Sequence, residues 1–156
     1  MNVLSLQNVV KAYARHLAVN DVSFDVKSGS IFGLLGPNGA GKTSLIRIIT
    51  TITAADSGKV FLNGQPLNNL HPNEIGYMPE ERGLYKKMKV GEQLLYLAQI
   101  KGLSNKDAKI RLKTWLEKFD ISNWWDKKIG DLSKGMSQKV QFIATVVHDP
   151  SLIILD

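Results

Sequence analysis

Eight residues, GPNGAGKT at positions 36–43, constrain this chain more than any other stretch. They fit the pattern G-x-x-x-x-G-K-[ST] and stand between an apolar run, IFGLL at 31–35, and a segment with Leu45, Ile48, Ile49 and Ile52 at helical spacing. Strand, glycine loop and helix are therefore expected in direct succession. In such a loop Gly36, Gly39 and Gly41, interleaved with Pro37, Asn38 and Ala40, let successive backbone N–H groups turn inward around a phosphate. The start of the helix adds its dipole, Lys42 reaches the β- and γ-phosphate oxygens, and the Thr43 hydroxyl takes a Mg²⁺ position. Ser44 completes the usual ending of the pattern.

The remaining elements fit a mixed α/β chain. In VSFDV, Val22, Phe24 and Val26 share one face of a strand, and strands are expected up to about Val26. DSGKVFLNGQ reads as a turn with a short strand, and residues 75–78 as another strand before Pro79. From about Val90 the pattern becomes helical. Residues 91–102 end on Gly102, suited to a left-handed cap, and SNKD at 104–107 resembles a capping box opening a helix through Phe119. A last helix is expected from near Gly135 to HDP at 148–150, because proline disfavours helical geometry in the residue before it.

Composition sets limits. The sequence has no cysteine, which removes disulfide frameworks and thiolate metal sites. The opening residues alternate apolar and polar with no secretory pattern, and no apolar run approaches the length that crosses a bilayer. A net charge of +6 suits an anionic partner. No basic stretch carries interleaved aromatics, so nucleic acid is not expected.

The sequence closes on SLIILD, residues 151–156, four apolar residues and then a carboxylate. Such a run reads as a parallel strand buried on both faces, rarely a natural terminus, which suggests either an unusual small fold or a domain cut in two. Behind a phosphate loop, a strand-ending aspartate is the Walker B position, holding Mg²⁺ through its water shell. LSKGMSQK, at 132–139, lies at a loop-to-helix junction ahead of that strand.

With these motifs in order, the sequence resembles the ATP-binding cassette (ABC) ATPases along all 156 residues. LSKGM is similar to the family's LSGGQ signature, with Lys134 in place of the first glycine and Met136 in place of glutamine. The resemblance implies an α/β P-loop NTPase fold of ABC type, with N-terminal antiparallel strands and a helical subdomain insertion, truncated here. The P-loop core would take in about 1–83 and 134–156, and the helical subdomain about 84–133.

The resemblance also assigns roles. Tyr13 stacks on adenine, residues 36–44 bind ATP, and Ser133 and Gly135 contact the γ-phosphate held by a second ABC domain, as in a homodimer. Glu80 stands where the Q-loop, within YMPEERGLY at 77–85, usually has glutamine, and it adds negative charge beside the phosphates. Mg²⁺ would fall to Thr43, Glu80 and, through water, Asp156. The family's catalytic glutamate follows the Walker B aspartate and its switch histidine comes later still. Neither is in these 156 residues, since His148 precedes Asp156, so this piece is expected to lack turnover. The implied function is an ATP-binding subunit coupled to transmembrane permease subunits through residues 80–90 and the helical insertion, peripheral on the cytoplasmic face of the cell membrane. The alternative is a non-transport ABC protein acting as a soluble ATP-dependent switch or interaction module. A GTPase or kinase leaves LSKGM unexplained.

Overall fold

The structure is a computed structural model that describes residues 1–80 and 83–156. It divides into two compact units, Met1–Pro72 and Asn73–Asp156.

The first unit begins with a long hairpin of β1 (Asn2–Tyr13) and β2 (His16–Lys27). After α1 (Lys42–Ile49) come β3 (Ser57–Leu62) and the short β4 (Gln65–Pro66). The strands form one antiparallel sheet in the order β2-β1-β3-β4, with Leu4 opposite Val26 on one side and Leu62 on the other. The expected face of β2 is present: Val26 is buried and Val22 and Phe24 are half-buried, while Ser23 and Asp25 between them are exposed. Leu6, Val9, Val19 and Leu62 form the sheet side of the core, and α1 buries Leu45, Ile46, Ile48 and Ile49.

The second unit pairs β5 (Ile75–Met78) with β6 (Leu152–Leu155) in parallel, Ile75 opposite Leu152 and Met78 opposite Leu155. Between them in sequence lie α2 (Val90–Ile100), α3 (Asn105–Lys118) and α4 (Lys134–Val146). Leu94, Ala98, Leu112, Val140 and Ile143 from these helices make one fully buried cluster. The start of α3 is capped as expected: Ser104 Oγ accepts from the Asp107 backbone N–H at 3.0 Å. Gly102, after α2, takes a left-handed φ of +92°. Strand β5 lies tight against α4, because a Cβ on Gly76 would come within 2.4 Å of the Thr145 carbonyl oxygen.

Three expectations are corrected. Residues 31–35 form no strand, and Ile31 and Leu35 are 103% and 92% exposed. An apolar run supplies strand propensity, but a strand exists only through ladder bonds to a partner, which these residues lack among the described ones. Strand β6 is not buried on both faces: Leu152 and Ile154 are half-buried while Ile153 and Leu155 are exposed, the alternation of a sheet covered on one side. Helix α1 stops at Ile49, short of Ile52. There Thr50 Oγ1 bonds back to the Ile46 carbonyl at 2.8 Å and Thr51 takes φ 61°, so the β-branched TTIT run turns the chain out of the helix.

Candidate nucleotide-binding site

The phosphate loop and Tyr13 lie in the first unit; Glu80, Ser133, Gly135 and Asp156 lie in the second. In the loop, the Ala40 N–H donates to the Pro37 carbonyl at 3.1 Å, closing a tight turn. Gly41, at φ +94°, passes so close to β2 that a Cβ there would sit 1.9 Å from the Ala18 carbonyl oxygen. Only glycine fits, and the loop is thereby seated on the hairpin that also carries Tyr13. Helix α1 begins immediately after. Among the described residues no side chain caps its N-terminus, and no acidic residue occupies its first turn, so the positive end of the helix has no anionic partner within its own element.

Lys42 folds back over the loop, its Nζ donating to the carbonyls of Gly36 at 2.5 Å and Pro37 at 2.9 Å. These are neutral acceptors. A phosphate oxygen is a stronger partner for an ammonium, so this lysine is held near the loop and has reason to exchange its carbonyls for a phosphate. Residues 31–40 and Thr43 are exposed, and Lys42 and Ser44 are half-exposed. Tyr13 closes β1 opposite His16 and is 39% exposed. Lys11 Nζ lies 5.5 Å from the centre of its ring and also pairs with Asp56 at 2.8 Å. The Ala12 backbone N–H and then Lys11 hold the Asp56 carboxyl below its usual range, so this carboxylate stays ionised at neutral pH.

In the second unit, β5 leads through Pro79 to Glu80, which is exposed. Gln141 Nε2, on α4, donates to the Pro79 carbonyl at 3.2 Å and so fixes the chain just before Glu80. Glu81 and Arg82, in the same expected Q-loop, lie outside the described residues. Ser133 caps α4, its Oγ accepting from the Met136 N–H at 3.2 Å. Ser133, Lys134 and Gly135 are all exposed, and a Cβ on Gly135 would meet nothing within 4 Å. Asp156 is held from β5 at two points: its N–H donates to the Met78 carbonyl at 3.0 Å, and its Oδ2 accepts from the Tyr77 hydroxyl at 3.1 Å.

The sequence reading did not single out Tyr77 or Gln141. Only the pairing register of β5 with β6, and the packing of α4 on β5, bring Tyr77 beside Asp156 and Gln141 beside Pro79. Thr43, Glu80 and Asp156 are hard oxygen donors, and the described residues hold no group of three His, Cys, Asp or Glu able to chelate a metal alone. Oxygen donors of this kind suit Mg²⁺, which keeps waters and binds through one or two carboxylates plus substrate phosphates. Bound, it would supply positive charge against phosphate oxygens.

The family model described as ABC transporter matches residues 19–156. An ABC transporter ATP-binding protein of Bacillus subtilis, YhaQ, is 46% identical over 99% of this chain and 52% of its own length. The Nod factor export ATP-binding protein I of a Rhizobium species is 34% identical over 98% of the chain and 51% of its own. A solved structure described as the ATP binding subunit of an ABC transporter superposes with a TM-score of 0.88 at 29% identity, over 99% of this chain and 65% of that one. The chain spans about half the length of the curated relatives it matches. A phosphate loop seated on an antiparallel hairpin, a helical segment ending in LSKGM, and these likenesses agree: the chain belongs to the ABC transporter ATP-binding family.

Proposed function

We propose that residues 36–44 bind the phosphates of ATP with Mg²⁺, and that in the whole protein ATP binding and hydrolysis drive a membrane permease. The observation that carries the reading is the loop itself, where Gly41 is locked on Ala18, the helix N-terminus is uncapped, and Lys42 is parked on neutral carbonyls. Tyr13 supplies an exposed ring for adenine. Thr43, Glu80 and, through water, Asp156 are the residues that take Mg²⁺ in this reading. Ser133 and Gly135, exposed at the start of α4, serve the nucleotide of a second ABC domain in a homodimer. The core comprises about 1–83 and 134–156, and the helical subdomain about 84–133. The export task in the name of the Rhizobium relative supports transport as the purpose. Among the described residues no helix is long and apolar enough to cross a membrane. In this reading the subunit works with separate membrane-spanning partners at the inner face of the membrane.

Calorimetric titration with ATP and Mg²⁺ tests this. Lys42→Ala removes a charge-assisted contact of roughly 1.5–3 kcal/mol, so affinity is expected to fall about tenfold or more. Equal affinity in the two proteins would reject the site.

A further inference from the structure

We infer that Tyr77 is a positioning residue for the Asp156 carboxylate, fixing one carboxylate oxygen so that the other is presented to Mg²⁺; the inference rests on the metal role proposed above. Tyr77 lies opposite Ile154 in the parallel pair, and Asp156 lies two residues beyond Ile154. Side chains alternate along a strand, so Tyr77 and Asp156 project on the same side, one step apart diagonally. The phenol spans that step and its hydroxyl donates to Oδ2 at 3.1 Å.

The hold is specific to one oxygen. A carboxylate on a strand end turns about its side-chain torsions, and a single neutral donor on Oδ2 selects one orientation without neutralising the charge. Oδ1 then keeps its full acceptor capacity for metal-bound water. The backbone anchor from Asp156 N–H to the Met78 carbonyl fixes the Cα of the same residue, so β5 sets both where the aspartate sits and how it points. Strand β5 is itself braced, by the close approach of Gly76 to Thr145 and by Gln141 on the Pro79 carbonyl. A phenylalanine at this position would keep the packing and lose the aim.

The test uses the full chain with Tyr77→Phe, Asp156→Asn and the double variant. With ATP saturating, Mn²⁺ read by electron paramagnetic resonance stands in for Mg²⁺. Tyr77→Phe is expected to weaken Mn²⁺ binding about three- to tenfold while leaving ATP affinity in EDTA unchanged, and to add nothing in the Asp156→Asn background. The contact also has a signature that needs neither metal nor nucleotide. The side-chain carboxyl ¹³C resonance of Asp156 should shift in Tyr77→Phe while that of Asp131 stays in place. Reciprocally, Asp156→Asn should shift the Tyr77 ring carbon that bears the hydroxyl, a reading that stands even if Tyr77→Phe fails to fold. If the unmodified chain binds no nucleotide, the proposed function fails and these resonances still decide the contact. Unmoved resonances overturn the inference, as does a Tyr77→Phe protein that loses ATP affinity in EDTA as strongly as Mn²⁺ affinity, which would mark the tyrosine as packing alone. Unchanged Mn²⁺ affinity overturns it too.

Discussion

At the scale of single residues, the phosphate loop depends on Gly41 for two separate reasons. Its φ of +94° is one that side chains rarely adopt, and a Cβ would strike the Ala18 carbonyl at 1.9 Å, a backbone atom that cannot swing away. Gly41→Ala is therefore expected to destabilise the chain by about 2–4 kcal/mol, combining left-handed strain with displacement of β2. Denaturant unfolding checks the loss, and an unchanged midpoint would show that the loop is not seated on the hairpin. The sequence made this loop legible because the pattern is local: eight consecutive residues contain the turn, the lysine and the helix start. Tyr77 was not legible. Its partner is separated by a whole helical segment, and nothing in IGYM states which residue of SLIILD it will face.

At the scale of elements, α2, α4 and β5 meet at one carbonyl. Lys101 Nζ and His148 Nε2 approach the Ile75 oxygen at 3.1 and 3.3 Å. A carbonyl only accepts, so the Nε2 of His148 carries the proton, and Nδ1 is buried with no partner among the described residues. Burial, then the nearby Lys101, hold the His148 pKa below its usual value; Arg111 also lowers it, while the Ile75 carbonyl and Asp149 oppose. A histidine kept neutral in the fold contributes stability above its unfolded pKa of about 6.5, and loses it as pH falls from there toward the lower folded value. Stability should thus decline as pH falls through about 6.5, and His148→Gln, which keeps a donor and cannot titrate, should flatten the decline. Thermal unfolding across that range decides it, and parallel pH profiles for the two proteins would remove His148 as the cause. The three helices around this junction share the Leu94 and Leu112 core, where Leu94→Ala should cost about 2–5 kcal/mol in denaturant unfolding. The cap of α3 was readable from sequence because a cap is settled within four residues, as Ser104 shows. Strand membership was less so. IFGLL and LIIL carry the same apolar signal, yet among the described residues only the second has a ladder partner, and its coverage follows from what packs on the sheet rather than from its own residues.

At the scale of the whole molecule, two tendencies oppose each other. The net charge of +6 repels like copies, an effect screened beyond about 8 Å at physiological salt. Against it stand Ile31, Phe32, Leu34 and Leu35, apolar side chains exposed in succession on a segment without ladder bonds, and the exposed Ile153 and Leu155 of β6. At ~25 cal/mol per Å², covering a few hundred Å² of such surface contributes several kcal/mol before the cost of association. Backbone at 31–35 and along the edge of the β5–β6 sheet that has no ladder partner among the described residues adds a template for strand pairing. The chain is therefore expected to self-associate, and more strongly at high salt, which removes the repulsion and leaves the apolar term intact. Light scattering from micromolar to millimolar concentration, at low and high salt, should show mass rising with both variables. The double substitution Ile31→Lys and Leu35→Lys should shift the onset to higher concentration, since it charges the segment without touching a buried contact. A monomer that persists across the whole range would refute this, and association that weakens with salt would mean that charge pairing, not apolar surface, brings the copies together.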